Sequence, residues 1–525
     1  MSIDIIPSSR PRGLLRAASI MSGGTLLSRV LGFVRDMLFA RFFGTAASAD
    51  AFVVAFRLPN MFRDLIGEGA ANSSFIPVMT EYKEKRPAEL KDFINAVMAW
   101  GVVILTGITV AGIVLAPLVV RLIAPGFAHE PGKTALAVTL TQIMFPYLIF
   151  IGLTAFFSAI QFTYGAFTMP ALGPCLLNVV LIISTLASVF WLKQPLYGLA
   201  AGVLAGGALQ LWFQWVPLKK HGVVLALSAR PGADTWPAVM NNDGARQVGR
   251  LILPRLLGSG VYQLNIFVDT ICASLVSIVG PGGISAIYYA MRIEQLPMGV
   301  FGVALASAVL PRLSKEALSA DKAQFKATLE FALKNIFFIM LPMTITLSLL
   351  AEPLVRVIFQ RGAFDAYSTA VTASALICFG LGLMGYGGVK LLVSAFHSLQ
   401  DTRTPVKVAL VSLAVNALLN VLLMFPLKIA GIALASAVSS VVSIALLMRF
   451  LSARLGGFDI RFAGFFLKLL AAGSLQAAGV WWLWRLIPGT PELWRLAIVI
   501  PSGALLYLLA AHVLRLEQVR FLRAT

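Results

Sequence analysis

Charge is what this 525-residue chain has least of: 12% of its residues are Asp, Glu, Lys or Arg, against 58% that are hydrophobic. Soluble domains carry about 25% charged residues. With a mean hydropathy of +0.86, the composition excludes a soluble globular protein and leaves an integral membrane protein. Cysteine is scarce too. Cys175, Cys272 and Cys378 stand alone in apolar runs, with no CxxC and no histidine nearby, and read as inert buried thiols. His129, His221, His397 and His512 are scattered and form no ligand cluster. Glycine-rich segments such as Gly280-Pro-Gly-Gly283 lack the Lys-Ser/Thr of a nucleotide-binding loop. No cleavable leader is expected, because Arg10, Arg12 and Arg16 precede a segment broken by Arg29 and Arg35. The net charge of +19 does not point to nucleic acid, since the basic residues fall mostly in short loops where they act as topology signals.

What is present is long hydrophobic runs. A hydrocarbon core of about 30 Å takes roughly 20 helical residues. The runs divide into fourteen spans: 14–42, 48–80, 93–120, 134–163, 168–192, 196–218, 247–276, 283–311, 325–350, 367–398, 405–426, 429–451, 462–486 and 493–515. An all-α integral membrane protein of about fourteen transmembrane helices is therefore expected. With the N-terminus in the cytoplasm, 24 loop lysines and arginines lie on that side and 9, Lys133 among them, on the other. That bias places both termini in the cytoplasm. Trp191, Trp481, Trp482, Trp484 and Trp494 fall at span ends, as an interfacial belt would have them.

A weak internal repeat runs through the chain. Gly24 meets Gly258, Phe33-Val34 meets Phe267-Val268, Pro77 meets Pro311 and Pro170 meets Pro405, at offsets between 233 and 236. Six spans per copy give two pseudo-symmetric lobes inserted the same way up, with a site expected at their interface. The domain bounds are 12–222 for the first lobe, 244–455 for the second and 460–516 for two additional C-terminal helices.

The first two spans carry charges that hydrocarbon does not tolerate idly: Arg29, Arg35, Asp36, Asp50, Arg57, Arg63, Asp64 and Glu68. Each costs from about 2.5 kcal/mol upward at bilayer depth, so it must face water, a partner or a ligand. Arg29 and Asp36 are seven apart on one helical face, as are Ser28 and Arg35. Arg57, Asn60, Asp64 and Glu68 form another stripe, and Pro59 should kink that span. Arg292 enters from the second half with Glu294 beside it. Acids and bases there are close in number, so internal salt bridges compete with a cationic cavity. Arginine is nonetheless the residue type that matches a diphosphate bidentately. A smaller group, Asp269, Asn416 and Asn420, offers oxygen ligands for Na⁺ or a site for a proton, with interhelical hydrogen bonding as the competing reading.

Ser-Arg-Val-Leu-Gly-Phe-Val-Arg-Asp (28–36), Thr-Ala-Ala-Ser-Ala-Asp-Ala-Phe (45–52), Phe-Arg-Leu-Pro-Asn (56–60), Gly-Glu-Gly-Ala (67–70) and Tyr-Tyr-Ala-Met-Arg-Ile-Glu-Gln-Leu-Pro-Met-Gly (288–299) resemble the signature of the MurJ (MviN) family. The resemblance covers essentially the whole chain. It implies a lipid II flippase of the MOP exporter superfamily, related to MATE transporters, working by alternating access in the bacterial inner membrane and not as an enzyme. By resemblance, Arg29, Arg35, Arg63, Arg292 and Ser28 contact the substrate, with Asp36, Asp50, Arg57, Asp64, Glu68 and Glu294 gating or orienting. A sodium site of some members matches Asp269, Asn416, Asn420 and Ser436, with a backbone carbonyl near Ile432. Asn420 replaces a carboxylate of that pattern, which weakens the expected ion affinity, and Met291 stands where some relatives carry Asp. The last two helices would hold the polyprenyl tail. No cofactor is implied beyond Na⁺ or H⁺ coupling or the membrane potential. The implied partners are lipid II, membrane lipids and other cell-wall synthesis proteins. The rival reading is a MOP-superfamily exporter of another lipid-linked oligosaccharide or of drugs.

Overall fold

Hydrocarbon offers no water to an unpaired backbone N–H or C=O, so each spanning segment must satisfy its own as a helix. The computed structural model describes residues 11–65, 71–219, 242–319, 321–457 and 461–521, and every regular element among them is helical. The chain divides into two compact units, Met1–Phe43 with Ala47–Gln263, and Gly44–Ala46 with Leu264–Thr525. Unit 1 contains α1 (Pro11–Phe43), α2 (Ala47–Leu65), α3 (Ala71–Lys85), α4 (Leu90–Ile123), α5 (Lys133–Met144), α6 (Tyr147–Thr163), α7 (Thr168–Trp191), α8 (Pro195–Lys219) and the first part of α9 (Asp243–Ser274). Unit 2 takes the end of α9, then α10 (Gly283–Pro297), α11 (Val303–Glu316), α12 (Ala323–Leu349), α13 (Ala351–Phe359), α14 (Ala366–Ser398), α15 (Arg403–Leu455), α16 (Arg461–Leu486) and α17 (Glu492–Val513).

Among the described residues, eleven helices are long and apolar enough to cross a membrane. Three differences separate that number from the fourteen expected spans. The second span, richest in charge, is divided into α2 and α3 on either side of residues outside the description. The seventh, in α9, runs through positions whose side chains lie outside the description. The eleventh and twelfth are joined in α15, whose helical course is broken at Lys428, with φ 53° and ψ −128°. That left-handed φ is strained for a residue with a side chain. The chain doubles back there so closely that a Cβ on Gly431 would stand 2.2 Å from the Leu423 carbonyl oxygen. The expected span at 283–311 also has internal structure: α10 and α11 are joined by a π-helical turn at Met298–Gly302, directly after Pro297.

Within unit 1, α7 packs against both α1 and α8, and α2 packs against α5. The α1–α7 contact requires glycine at one point, because a Cβ on Gly24 would lie 2.6 Å from the Ala171 carbonyl oxygen. One turn further on, the Cys175 thiol donates to the Gly24 carbonyl at 3.6 Å. Ala171, Cys175 and Asn178 follow at i, i+4 and i+7, so one face of α7 lies along α1.

Within unit 2, α16 and α17 pack on each other and on α12. The attachment follows from a proline. Pro342 lies inside α12 and has no N–H to give the Phe338 carbonyl four residues earlier. The buried Tyr507 of α17 supplies the missing donor, its hydroxyl reaching Phe338 O at 2.7 Å. From α16, Gln476 Nε2 donates to Pro342 O at 3.1 Å. Tyr507→Phe should therefore leave one carbonyl unsatisfied in an apolar setting and cost about 1 kcal/mol. Thermal unfolding in micelles should show a lowered midpoint at unchanged helix content; an unmoved midpoint would refute this account of the attachment.

Candidate functional site

Arg35 lies about two turns before the end of α1. Its Nε and Nη2 donate to Asp36 Oδ1 at 2.9 and 2.7 Å, and its Nη1 donates to Asn178 Oδ1 of α7 at 3.0 Å. Asn178 Nδ2 in turn donates to the Ser28 carbonyl at 3.0 Å and to the Ser28 hydroxyl at 3.2 Å. Residues adjacent on a helix do not ordinarily face each other. Here the long guanidinium folds back onto the buried carboxylate beside it, a charge-assisted contact of the kind that desolvation demands. Ser28, Arg35 and Asp36 are thus brought together. Arg29 is exposed, and Arg57 and Arg63 are half-buried on α2. Glu68 and the side chain of Asp64 lie outside the described residues.

Asp50 belongs to a separate cluster. Its Oδ2 accepts from Lys133 Nζ at 3.1 Å, and the same ammonium donates to Glu130 at 2.8 Å and lies 4.4 Å from the centre of the Phe127 ring. Asp50 is 1% exposed and Lys133 4%. Lys133, counted from sequence as a loop cation, is instead a buried charge at the first residue of α5 that ties this helix to α2.

In unit 2, Arg292 donates from Nη2 to the Tyr288 hydroxyl at 3.1 Å and from Nη1 to Gln295 at 3.3 Å, with its guanidinium 4.7 Å from the Tyr288 ring centre. Glu294 stands two residues further on and faces nearly the opposite way, because two helical residues turn about 200°. It is buried at 7% exposure, whereas Arg292 is half-buried. Asp269, Asn416, Asn420 and Ser436 converge. Asn420 Nδ2 donates to Asp269 Oδ1 at 2.7 Å and to Asn416 Oδ1 at 3.1 Å, while Ser436 Oγ donates to Asp269 Oδ2 at 3.0 Å and receives Asn416 Nδ2 at 3.1 Å. Ile432 is fully buried. The buried Asn420 Oδ1 meets no donor, and an oxygen-rich set with such an orphan acceptor fits a hard monovalent cation. Among the described residues, no group of three or more His, Cys, Asp or Glu could hold a metal ion.

The family model described as lipid II flippase MurJ matches residues 39–500. This chain belongs to the MurJ family. The lipid II flippase MurJ of Burkholderia cenocepacia is 36% identical over 476 residues, which cover 89% of this chain and 90% of that protein. The probable lipid II flippase MurJ of Haemophilus influenzae is 33% identical over 473 residues, covering 87% and 90%. A solved structure of a lipid II flippase MurJ in an inward closed conformation superposes with a TM-score of 0.77 at 28% identity, covering 94% of this chain and 98% of that one. A multidrug-resistance MATE family transporter of the MOP superfamily reaches a TM-score of 0.65 at 14% identity, over 82% of this chain and 94% of that one, which shows the shared fold alone.

Three polar residues that build this MurJ chain's charged clusters had no sequence signal of their own. Asn178 is one of many amides in apolar runs, Tyr288 was visible only as part of a motif, and Lys133 resembled a loop charge. The Asp50–Lys133 pair has a measurable consequence. Removing one partner of a buried ion pair costs about 3–5 kcal/mol because the other is left uncompensated. Lys133→Met, which abandons Asp50, should lower the unfolding midpoint more than Asp50→Asn, after which Glu130 still meets the ammonium. The double variant Asp50→Asn/Lys133→Met should recover most of the loss. If instead the double variant is the least stable of the three, the pair is not the stabilising unit.

Proposed function

We propose that this protein flips lipid II, the undecaprenyl-diphosphate-linked precursor of peptidoglycan, from the cytoplasmic to the periplasmic leaflet of the bacterial inner membrane by alternating access. The match of the MurJ family model across residues 39–500 is the observation that supports this reading most directly. The guanidinium groups inside the spans give it a chemistry. A diphosphate cannot enter hydrocarbon unaccompanied, and arginine offers it a planar fork that stays charged at every physiological pH. Arg35 and Arg292, with Arg29 and Arg63, receive the head group, and Ser28 takes part in the same site. Asp36, Asp50, Arg57, Asp64, Glu68 and Glu294 serve as orienting or gating partners. The polyprenyl tail stays in lipid along α16 and α17, so only the polar end is desolvated. No bond is made or broken.

Both termini lie in the cytoplasm in this reading. Na⁺ or H⁺ at Asp269, with Asn416, Asn420, Ser436 and the Ile432 carbonyl, or the membrane potential acting alone, resets the empty carrier. Other cell-wall synthesis proteins supply and consume the cargo. Reconstituted protein with labelled lipid II tests the proposal. Arg35→Ala and Arg292→Ala should each slow translocation at least about tenfold, the loss of one charge-assisted contact. Arg35→Lys, which keeps the charge but not the fork, should fall between. Full translocation by both alanine variants at equal protein level, with rescue of a flippase-depleted bacterium, would overturn the arginine assignment.

A further inference from the structure

The Asn178 amide is held in one orientation by what surrounds it. The Ser28 carbonyl can only accept, so the amide must turn Nδ2 toward it, at 3.0 Å, and this leaves Oδ1 facing Arg35, which can only donate. The residue itself is fixed, 7% exposed, on the face of α7 that meets α1 at Gly24 with no room for a methyl group. Asp36 is carried by the same helix as Arg35 and moves with it; Asn178 ties the guanidinium to a second helix, 143 residues away in sequence.

We propose that Asn178 is the positioning residue for Arg35, aiming its guanidinium before the cargo diphosphate arrives. The inference rests on the lipid II reading above and adds to it a residue and a mode of action. A long arginine side chain gives up much of its rotamer freedom when it is ordered. If the protein has already ordered it, that cost no longer falls on cargo binding. The second half of the chain supports the same logic with reversed polarity. Asp269 follows Arg35 by 234 positions, within the offset of the internal repeat, and in unit 2 it is met by Asn420 of the span equivalent to α7. In each half, an asparagine of the fifth span meets a charged residue of the first. The amide shows its oxygen to a cation in one half and its N–H to an anion in the other. Asparagine is among the few neutral side chains able to do both.

The test is a double-mutant cycle on equilibrium binding of a fluorescent lipid II to the full-length purified protein, with Arg35→Ala, Asn178→Leu and their combination. Leucine keeps the volume and removes both polar contacts. Asn178→Leu should raise the dissociation constant about tenfold, as loss of a hydrogen bond to a charged group does. It should also raise the half-saturating lipid II for translocation more than it lowers the maximal rate. Combined with Arg35→Ala it should add nothing further, since a residue acting through Arg35 has nothing left to act on. A purely structural Asn178 would give additive losses and a reduced maximal rate. Native-like binding by Asn178→Leu beside weakened binding by Arg35→Ala, or additive losses, would overturn the positioning role alone. Native-like binding by Arg35→Ala would overturn the diphosphate reading itself. Should Asn178→Leu not fold, Asn178→Ala takes its place in the same cycle.

Discussion

The polar clusters of this protein answer to one constraint: a charge or a hydrogen-bonding group inside hydrocarbon is costly unless the protein itself meets it. Arg35 is met by Asp36 and Asn178, Lys133 by Asp50 and Glu130, and Asp269 by Asn420 and Ser436. The same rule reaches the backbone, where Tyr507 answers the carbonyl that Pro342 leaves open. Apart from Arg35–Asp36 and Lys133–Glu130, these contacts join helices far apart in sequence. Polar pairing therefore fixes which helix lies beside which, in a medium where apolar surface alone discriminates poorly.

The clusters divide by kind. Asp50–Lys133 is almost wholly removed from water and locks α2 to α5. Arg35 and Arg292 are half-buried, with their guanidinium groups steadied by an amide, a carboxylate or a tyrosine ring. A group held in place yet not sealed off is suited to receiving a charged ligand, whereas a sealed pair is suited to holding architecture. The Asp269 cluster is intermediate, with its carboxylate saturated by donors and one amide oxygen left over.

Much of the fold was legible because apolar runs of about 20 residues have few alternatives in a membrane. The helical class and the run boundaries follow from that, as does the suspicion attached to arginines at positions 29, 35, 63 and 292. What was not legible depends on facing. A repeat of 3.6 residues says which side chains share a face, but not what that face meets. Asp36 was grouped with Arg29 by spacing, yet its carboxylate receives its own neighbour, Arg35. Lys133 sits at a helix start, where sequence cannot distinguish a loop cation from a buried one, and it is covered by Asp50 of α2 together with Glu130 and the Phe127 ring. Counting spans from hydropathy was sound for uninterrupted runs and differed where charge, a break in the described residues or the reversal at Lys428 intervened.

The Tyr507–Phe338 contact also bears on how the chain is made. Its two ends are 169 residues apart, and synthesis proceeds at about 5–20 residues per second. The carbonyl left open by Pro342 therefore exists for about 10–30 s before its tyrosine is translated. During that interval α12 carries a local polar defect that no later part of unit 2 short of α17 closes in this way. α17 thus completes a helix made much earlier, and a chain ending before residue 507 would keep the defect for its lifetime.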